Sequence, residues 1–414
     1  MQKEKKLLIL GKVWPEPKSS AAGSRMMQLI EAFEKEGWNI TFASAANQSD
    51  FCETFEHSTV QTASIKMNDS VFDEFVRELN PSMVLFDRFM TEEQFGWRVV
   101  EQCPNTLRVL DMEDLHCLRH ARTVVMKAGR EFSKDDLFNE TAIREIASMY
   151  RCDLSLVISE FEMEILTSVF KMKEELLVYL PFMLDSITDD YIKTLPTFEE
   201  RNHFISIGNF LHEPNWNAVQ VLKKDIWPSI RTQLPTAELH IYGAYATQKV
   251  EQLHNPKEGF IIKGRAEDAK EVLSSAKVLF APLRIGAGLK GKLAEAMECG
   301  TPSVTSKVGA EGMAGNLEWP GAVCDEDVDF VSQAISIYTN KDEWTSSQKN
   351  GFEIINDRFN KEFHQNILME RIDNLLKDLE NKRRANFIGS MLLHHSMAST
   401  KFMSRWIEEK NRDK

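Results

Sequence analysis

The residue types and spacings best suited to chemistry in this 414-residue chain lie between Ala281 and Val304. An apolar run, Val278-Leu279-Phe280, leads through Pro282 into Gly286-Ala287-Gly288 and then into a helical stretch from Lys290 to Cys299. A strand that enters a helix through small residues points free amides and the positive helix end at the turn's occupant, which suits an anion. Arg284, Lys290 and Lys292 surround that turn and can neutralise a diphosphate through charge-assisted hydrogen bonds. Glu295 stands one turn beyond Lys292 on the same face, where a carboxylate can accept hydrogen bonds from the vicinal hydroxyls of a ribose. A glycine-bearing turn before a helix is usually only a turn. The cations, the carboxylate and the following Gly300-Thr301-Pro302 set this one apart, while Ala296 and Met297 read as core.

Other clusters are less specific. Leu110 to Arg119 follows a strand and holds Asp111, Glu113, Asp114 and His116, a density of acid and histidine unusual for a mere connection. Asp111 or Asp114 could orient His116 or bind hydroxyls; the bland reading is a set of solvated helix-capping acids. The D-x-x-D-x-H spacing is not diagnostic of a metal, and no metal site is expected. Asp87-Arg88 is a weaker candidate of the same kind. Gly23-Ser24-Arg25 near a helix start can reach a phosphate or an acceptor, or simply cap the helix. Gly264-Arg265 ends a strand, and Glu311 sits in a Gly-Ala-Glu-Gly turn that it either braces or extends toward a ligand. No G-x-S-x-G, Walker loop or H-E-x-x-H is present.

The elements that must position these residues alternate in type. Leu7–Leu10, 38–44, 82–86, 107–110 and 154–158 read as strands, with helices expected at 24–36, 71–79 and 134–150. After an irregular stretch from Pro181 to Arg201 the alternation restarts, with strands at 203–207, 238–242, 260–262, 278–280 and 303–305 and helices at 215–233, 266–275 and 290–299. Short apolar strands separated by helices predict α/β architecture, with two doubly wound sheets in tandem and a cleft between their carboxyl strand ends. The expected division is an N-terminal domain over 1–183, a linker over 184–201, a second domain over 202–365 and C-terminal helices over 366–414.

Composition narrows the class. With 50 basic and 63 acidic residues the net charge is −13, which excludes a general nucleic-acid binder. The six cysteines form no C-x-x-C pair, which fits free thiols in a reducing compartment. The N-terminal apolar run is too short for a signal peptide and no long apolar span occurs, so a cytoplasmic protein is expected. The tail, with Phe402, Trp406 and Ile407, leaves room for a peripheral membrane contact.

The segment Pro282, Gly-Ala-Gly, Lys292-x-x-Glu295-Ala296-Met297, Gly300-Thr301-Pro302-x-Val304 and Gly309-Ala310-Glu311-Gly312 resembles the donor-binding signature of family 4 (group 1) glycosyltransferases. The resemblance implies the GT-B architecture of two Rossmann-like domains across a cleft, and a retaining transfer from a nucleotide-diphosphate sugar to an acceptor hydroxyl, in glycan or surface-polysaccharide assembly. It implies that Glu295 binds the ribose and that Gly286, Ala287, Gly288 and Leu289 cradle the diphosphate. Gly264 and Arg265 would border the base, Glu311 a sugar hydroxyl, and Gly23, Ser24 and Arg25 the diphosphate or acceptor. His116 loosely matches a histidine near the donor sugar, with Asp111 and Asp114 beside it. No divalent metal is implied, and the departing phosphate helps to take the proton.

Two departures stand out. Ala287 occupies the position where many members carry a sugar-binding glutamate, and Gly208-Asn209-Phe210 stands where an Arg/Lys pair is usual. Arg284 and Lys292 are expected to supply the diphosphate charge instead. A nucleotide-sugar 2-epimerase shares the architecture, and Ala287 admits a non-catalytic nucleotide-sugar-binding module.

Overall fold

The structure, a computed structural model, describes residues 4–55 and 58–412; Met1 to Lys3 of the N-terminal reading lie outside them. Seven parallel strands form the first sheet: β1 (Lys6–Gly11), β2 (Asn39–Ser44), β3 (Gln61–Ser64), β4 (Met83–Asp87), β5 (Leu107–Asp111), β6 (Leu154–Val157) and β7 (Leu177–Tyr179), in the order β3-β2-β1-β4-β5-β6-β7. The second holds β8 (Asn202–Ile207), β9 (Leu239–Tyr242), β10 (Phe260–Gly264), β11 (Ala276–Ala281), β12 (Ser303–Thr305) and β13 (Gly321–Val323), in the order β10-β9-β8-β11-β12-β13. Both sheets are doubly wound, reversing direction between β1 and β4 and between β8 and β11. Their central strands are apolar throughout because helices cover both faces; Leu7 to Leu10 and Met83 to Phe86 are all buried.

Local chemistry modifies several expected elements. The helix anticipated at 134–150 is broken: a short turn, Lys134–Leu137, precedes the helix Glu140–Arg151, whose cap Asn139 accepts from the Ala142 amide at 3.1 Å. The helix anticipated at 215–233 starts at Glu213 and contains one wide turn, Leu222–Ile226. Pro228 follows; it has no amide to donate and its ring crowds the preceding turn, which the widened turn relieves. Helices Phe89–Gln102, His116–Lys127 and Glu160–Ser168 follow β4, β5 and β6, and the first turns of Phe89–Gln102 and His116–Lys127 line the cleft.

The chain crosses between the halves twice, side by side. Leu184 donates to the Phe359 carbonyl at 2.8 Å and accepts from Lys361 at 2.9 Å. Beyond that point the helix Lys361–Lys377 buries Leu368, Ile372 and Leu375 in the core of the first half. The helix Phe387–Asn411 lies over Phe89–Gln102 and Glu140–Arg151, its Ser404 and Glu408 reaching the buried Arg98 at 3.2 and 3.6 Å. None of the described helices is long and apolar enough to cross a membrane.

Candidate functional site

The carboxyl ends of the two sheets face each other across a cleft of about 1150 Å³. It is lined by the loops that leave β1, β4, β8 and β11, the strands flanking each reversal point, where open α/β sheets take their ligands.

On the second half, the Gly286-Ala287-Gly288 turn runs from β11 toward the helix Gly291–Glu298. Gly288 adopts a φ of +63°, and a Cβ there would stand 2.8 Å from the Asp114 Cβ of the first half, so glycine lets the two walls meet. The helix has no side-chain cap, and its first amides open on the cleft. Lys292 extends across the end of β8, its Nζ donating to Asn215 Oδ1 at 2.8 Å, while Asn215 Nδ2 donates to the Asn209 carbonyl at 2.9 Å. Burial lowers the Lys292 ammonium to about 8, with Glu295 partly compensating. Glu295 lines the same wall; burial and the nearby Glu298 raise its carboxyl above the ordinary range. Arg265 lays its guanidinium 4.3 Å from the Phe51 ring centroid of the first half, with its Nε buried and unbonded.

On the first half, His116 begins the helix His116–Lys127 and is buried, its Nδ1 lying 2.9 Å from the Asp114 carbonyl and 3.2 Å from Glu145 Oε1. Burial opposes its charge, but Asp114 and Glu145 outweigh it and hold the imidazole above its ordinary value. Burial likewise opposes the Asp114 carboxylate, and Arg119, its hydrogen-bond donor, outweighs that and holds it below the usual range. Burial and the neighbouring Asp111 push Glu113 up to about 8. From the opposite wall His212, pushed down to about 4 by burial and then by Arg119, completes the rim. Among the described residues no group of His, Cys, Asp and Glu is placed to hold a metal ion.

Residues 201–340 match the family described as Glycosyl transferases group 1. The chain superposes on a sucrose-phosphate synthase from Thermosynechococcus elongatus with a TM-score of 0.68 at 16% identity, over 90% of this chain and 100% of that one. HepE of Anabaena, in complex with UDP-glucose, gives 0.66 at 12% identity over 89% and 100%. WaaG, a glycosyltransferase involved in lipopolysaccharide biosynthesis, gives 0.58 at 12% over 88% and 98%. The chain has the GT-B fold of these structures, and its residues 201–340 resemble the glycosyl transferases group 1 domain. No curated protein matches its sequence.

The cleft brings together Gly286, Ala287, Gly288, Leu289, Lys292, Glu295, Arg265, Asp114, His116 and Gly23. Lys290 also lines it, whereas Arg284, Arg25, Asp111, Ser24, Gly264 and Glu311 do not. Arg284 leaves the turn on its outer side, half exposed, 3.4 Å from Asp327 and 3.8 Å from Asp225, so it cannot supply charge to the cleft. Arg25 and Asp111 are wholly buried in an ion pair of 2.9 Å, with Arg25 also donating to the Leu180 carbonyl at 2.7 Å; they brace the sheet and touch no ligand space. Ser24 donates to the Pro17 carbonyl at 2.8 Å, and the helix cap is Ser20. Gly264 lies outside the lining, its carbonyl accepting from the Gly243 amide at 2.8 Å. Glu311 binds Arg122 rather than facing a sugar. Lys290, expected among the diphosphate cations, donates to the Ala287 and Gly288 carbonyls at 3.1 and 2.6 Å and holds the turn from inside; burial lowers it to about 8.

Several residues of the site carry no signal in the sequence. Glu162 Oε1 accepts from the amides of Leu115 and Gly288 at 2.9 and 2.7 Å, tying the histidine loop to the glycine turn. Glu145 accepts from the His116 and Cys117 amides at 3.0 and 2.9 Å. Tyr245 donates across the cleft to Glu16 at 2.9 Å. Each acts over a long sequence separation, and only the order of elements could have hinted at it.

Proposed function

We propose that the enzyme transfers a sugar from a nucleotide-diphosphate sugar to an acceptor hydroxyl with retention at the anomeric carbon. The observation that carries this is the single wall formed by the uncapped helix Gly291–Glu298, Lys292 and Glu295, which faces His116 across the cleft. In this reading the helix amides and Lys292 hold the diphosphate, Glu295 the ribose hydroxyls, and Arg265 flanks the base. As the bond from the anomeric carbon to the diphosphate oxygen breaks, these donors stabilise the negative charge that develops. The acceptor oxygen bonds to the same carbon on the face being vacated, and its proton passes to the departing phosphate oxygen. His116, with Nδ1 engaged by Asp114 and Glu145, offers Nε2 to the sugar. A UDP-linked donor is supported by the likeness to HepE, whose complexes hold UDP and UDP-glucose.

The same reading assigns the acceptor side to 1–183, a linker to 184–201, the donor side to 202–365, and a return to the acceptor side to 366–414. Transfer is expected to need no divalent ion and to occur in the cytoplasm, which six free thiols suit. Glycan or surface-polysaccharide assembly is the proposed setting, supported by WaaG. The exposed Phe402 and Trp406 support a peripheral membrane contact. Following nucleotide release from a panel of nucleotide sugars, with and without extract acceptors and with EDTA, tests the reading. Failure of every donor to bind or turn over sinks it, and a changed free sugar without any acceptor would indicate an epimerase.

A further inference from the structure

The Gly286-Ala287-Gly288 turn is not shaped by its own half alone. Lys290 holds the Ala287 and Gly288 carbonyls at 3.1 and 2.6 Å from within the second half. The first half supplies two further bonds: Arg122 donates to the Gly286 carbonyl at 2.8 Å, and Glu162 Oε1 accepts from the Gly288 amide at 2.7 Å. Ala287 belongs to the same buried apolar cluster as Leu115, Cys117 and Leu118 of the first half. The Gly288 amide, expected from the sequence to face a diphosphate, is therefore already engaged, and the turn keeps all these bonds only while the two halves are together.

Glu162 makes the shorter of the two links from the first half. It stands in the first turn of the helix Glu160–Ser168 with 1% of its surface exposed. The oxygen that takes Gly288 also accepts from the Leu115 amide at 2.9 Å, one residue before His116. One buried oxygen thus sets the spacing between the glycine turn and the loop that presents His116. The other oxygen, Oε2, is buried and has no hydrogen-bond partner. An unbonded buried carboxyl oxygen is a cost to the fold, so the gain from this side chain lies in what Oε1 joins. Asp114 of the His116 loop and Lys290 of the turn face the group. Burial and then Asp114 outweigh the two amides and Lys290 and favour the protonated carboxyl, whose carbonyl oxygen still accepts both amides.

We propose that Glu162 is a positioning residue for the transfer: by taking the Gly288 and Leu115 amides on one oxygen it aligns the glycine turn with His116, so that the reacting geometry is assembled only in the closed cleft. It touches no substrate itself. This rests on the donor reading, in which the sugar lies between that turn and His116. A misplacement of about 1 Å between groups that hold a reacting sugar costs about a hundredfold in rate, which is why one hydrogen bond between the walls matters to turnover.

Turnover and small-angle scattering on the full chain test it. A panel of UDP-, GDP- and ADP-linked sugars is screened for nucleotide release, with water or an extract glycan as acceptor, and competent sites are counted by calorimetric titration with the matching nucleotide diphosphate. Per titrated site, Glu162→Ala should lower kcat by about tenfold or more while donor KM stays within about threefold. Glu162→Gln, whose side-chain oxygen accepts both amides, should keep kcat within about threefold of wild type. Scattering without ligand should show Glu162→Ala more expanded than wild type and Glu162→Gln unchanged. A purely structural role would reduce the number of titrated sites in Glu162→Ala but leave kcat per site alone; that result overturns the proposal, as does an equal loss of kcat in the Ala and Gln variants. If Glu162→Ala does not fold, Glu162→Asp decides by the same measurements: one methylene shorter, it cannot span both amides, and kcat per site equal to wild type overturns the proposal. If no donor binds or turns over, the donor reading fails separately, and equal radii of gyration for wild type and the Ala or Asp variant would overturn the coupling of Glu162 to closure.

Discussion

Arg122 of the first half grips Glu311 of the second through hydrogen bonds of 2.9 and 2.7 Å, and the same guanidinium donates to the Gly286 carbonyl at 2.8 Å. The pair therefore does two things at once: it joins the two walls of the cleft, and it fixes the backbone of the turn proposed to receive the diphosphate. Fork-to-carboxylate geometry at a largely buried site makes this a strong contact for an interface between domains.

Arg122→Met should loosen that closure without unfolding either half. The expected result is a rise of about tenfold in donor KM, from the loss of about 1.5–3 kcal/mol of charge-assisted bonding, part of which water restores. Small-angle scattering should show a larger radius of gyration than wild type in the absence of donor. Unchanged scattering and KM would mean that the other bridges suffice.

The Arg25–Asp111 pair should behave differently, because both side chains are wholly buried. Asp111→Ala leaves a guanidinium without its counter-charge and should cost about 3–5 kcal/mol in chemical denaturation. If Asp111 were instead a ligand-binding acid, its loss would lower activity with stability unchanged.

Arg284 and Lys292 separate along the same line of reasoning. Arg284→Ala, at an exposed position, should change stability by no more than about 0.5 kcal/mol and leave nucleotide affinity alone. Lys292→Ala should weaken nucleotide diphosphate binding by about tenfold or more. Because the Lys292 ammonium sits near 8 rather than at its ordinary 10.5, affinity in the wild type should also decline as pH rises above 8. Equal effects of the two substitutions in calorimetry would reverse the assignment.

This pair also shows what was legible in the sequence. The strands could be read because burial on both faces leaves continuous apolar runs, and the donor turn because its parts lie within fifteen residues of one another. Edge strand β3, Gln-Thr-Ala-Ser, is polar and largely exposed, so no apolar pattern marks it. Side-chain direction was the larger gap. Whether Arg284 points inward depends on Asp327, 43 residues away, and Glu311 finds Arg122 across 189 residues. A basic residue beside a glycine turn is thus visible locally, but its partner is chosen by the fold.

Glu162 gives a pH dependence with a defined sign. Burial and the neighbouring Asp114 raise its carboxyl from 4.5 to about 8. Between those values the folded protein holds a proton that the unfolded chain has lost, so this group makes stability fall as pH rises through that window. Glu162→Gln keeps an oxygen for the Leu115 and Gly288 amides but cannot titrate. Denaturation midpoints measured from pH 5 to 8 should therefore slope less steeply in the variant; Glu113, raised in the same direction, retains part of the slope. Parallel profiles for the two proteins would remove Glu162 from the account.

Glu295 allows the donor wall to be tested at the level of single hydroxyls. Its carboxylate lines the cleft one turn beyond Lys292 and takes no hydrogen bond from another side chain among the described residues, so its acceptor capacity is available to a ligand. A ribose offers two neighbouring hydroxyls to such a carboxylate, and each charge-assisted bond is worth about 1.5–3 kcal/mol. The wild type should accordingly bind UDP about tenfold or more tighter than 2′-deoxy-UDP. In Glu295→Ala that discrimination should collapse toward unity, because UDP loses affinity while the deoxy analogue changes less. Lys292→Ala should instead weaken both nucleotides by a similar factor, since the diphosphate is common to them. A Glu295→Ala variant that still discriminates would place the ribose elsewhere in the cleft.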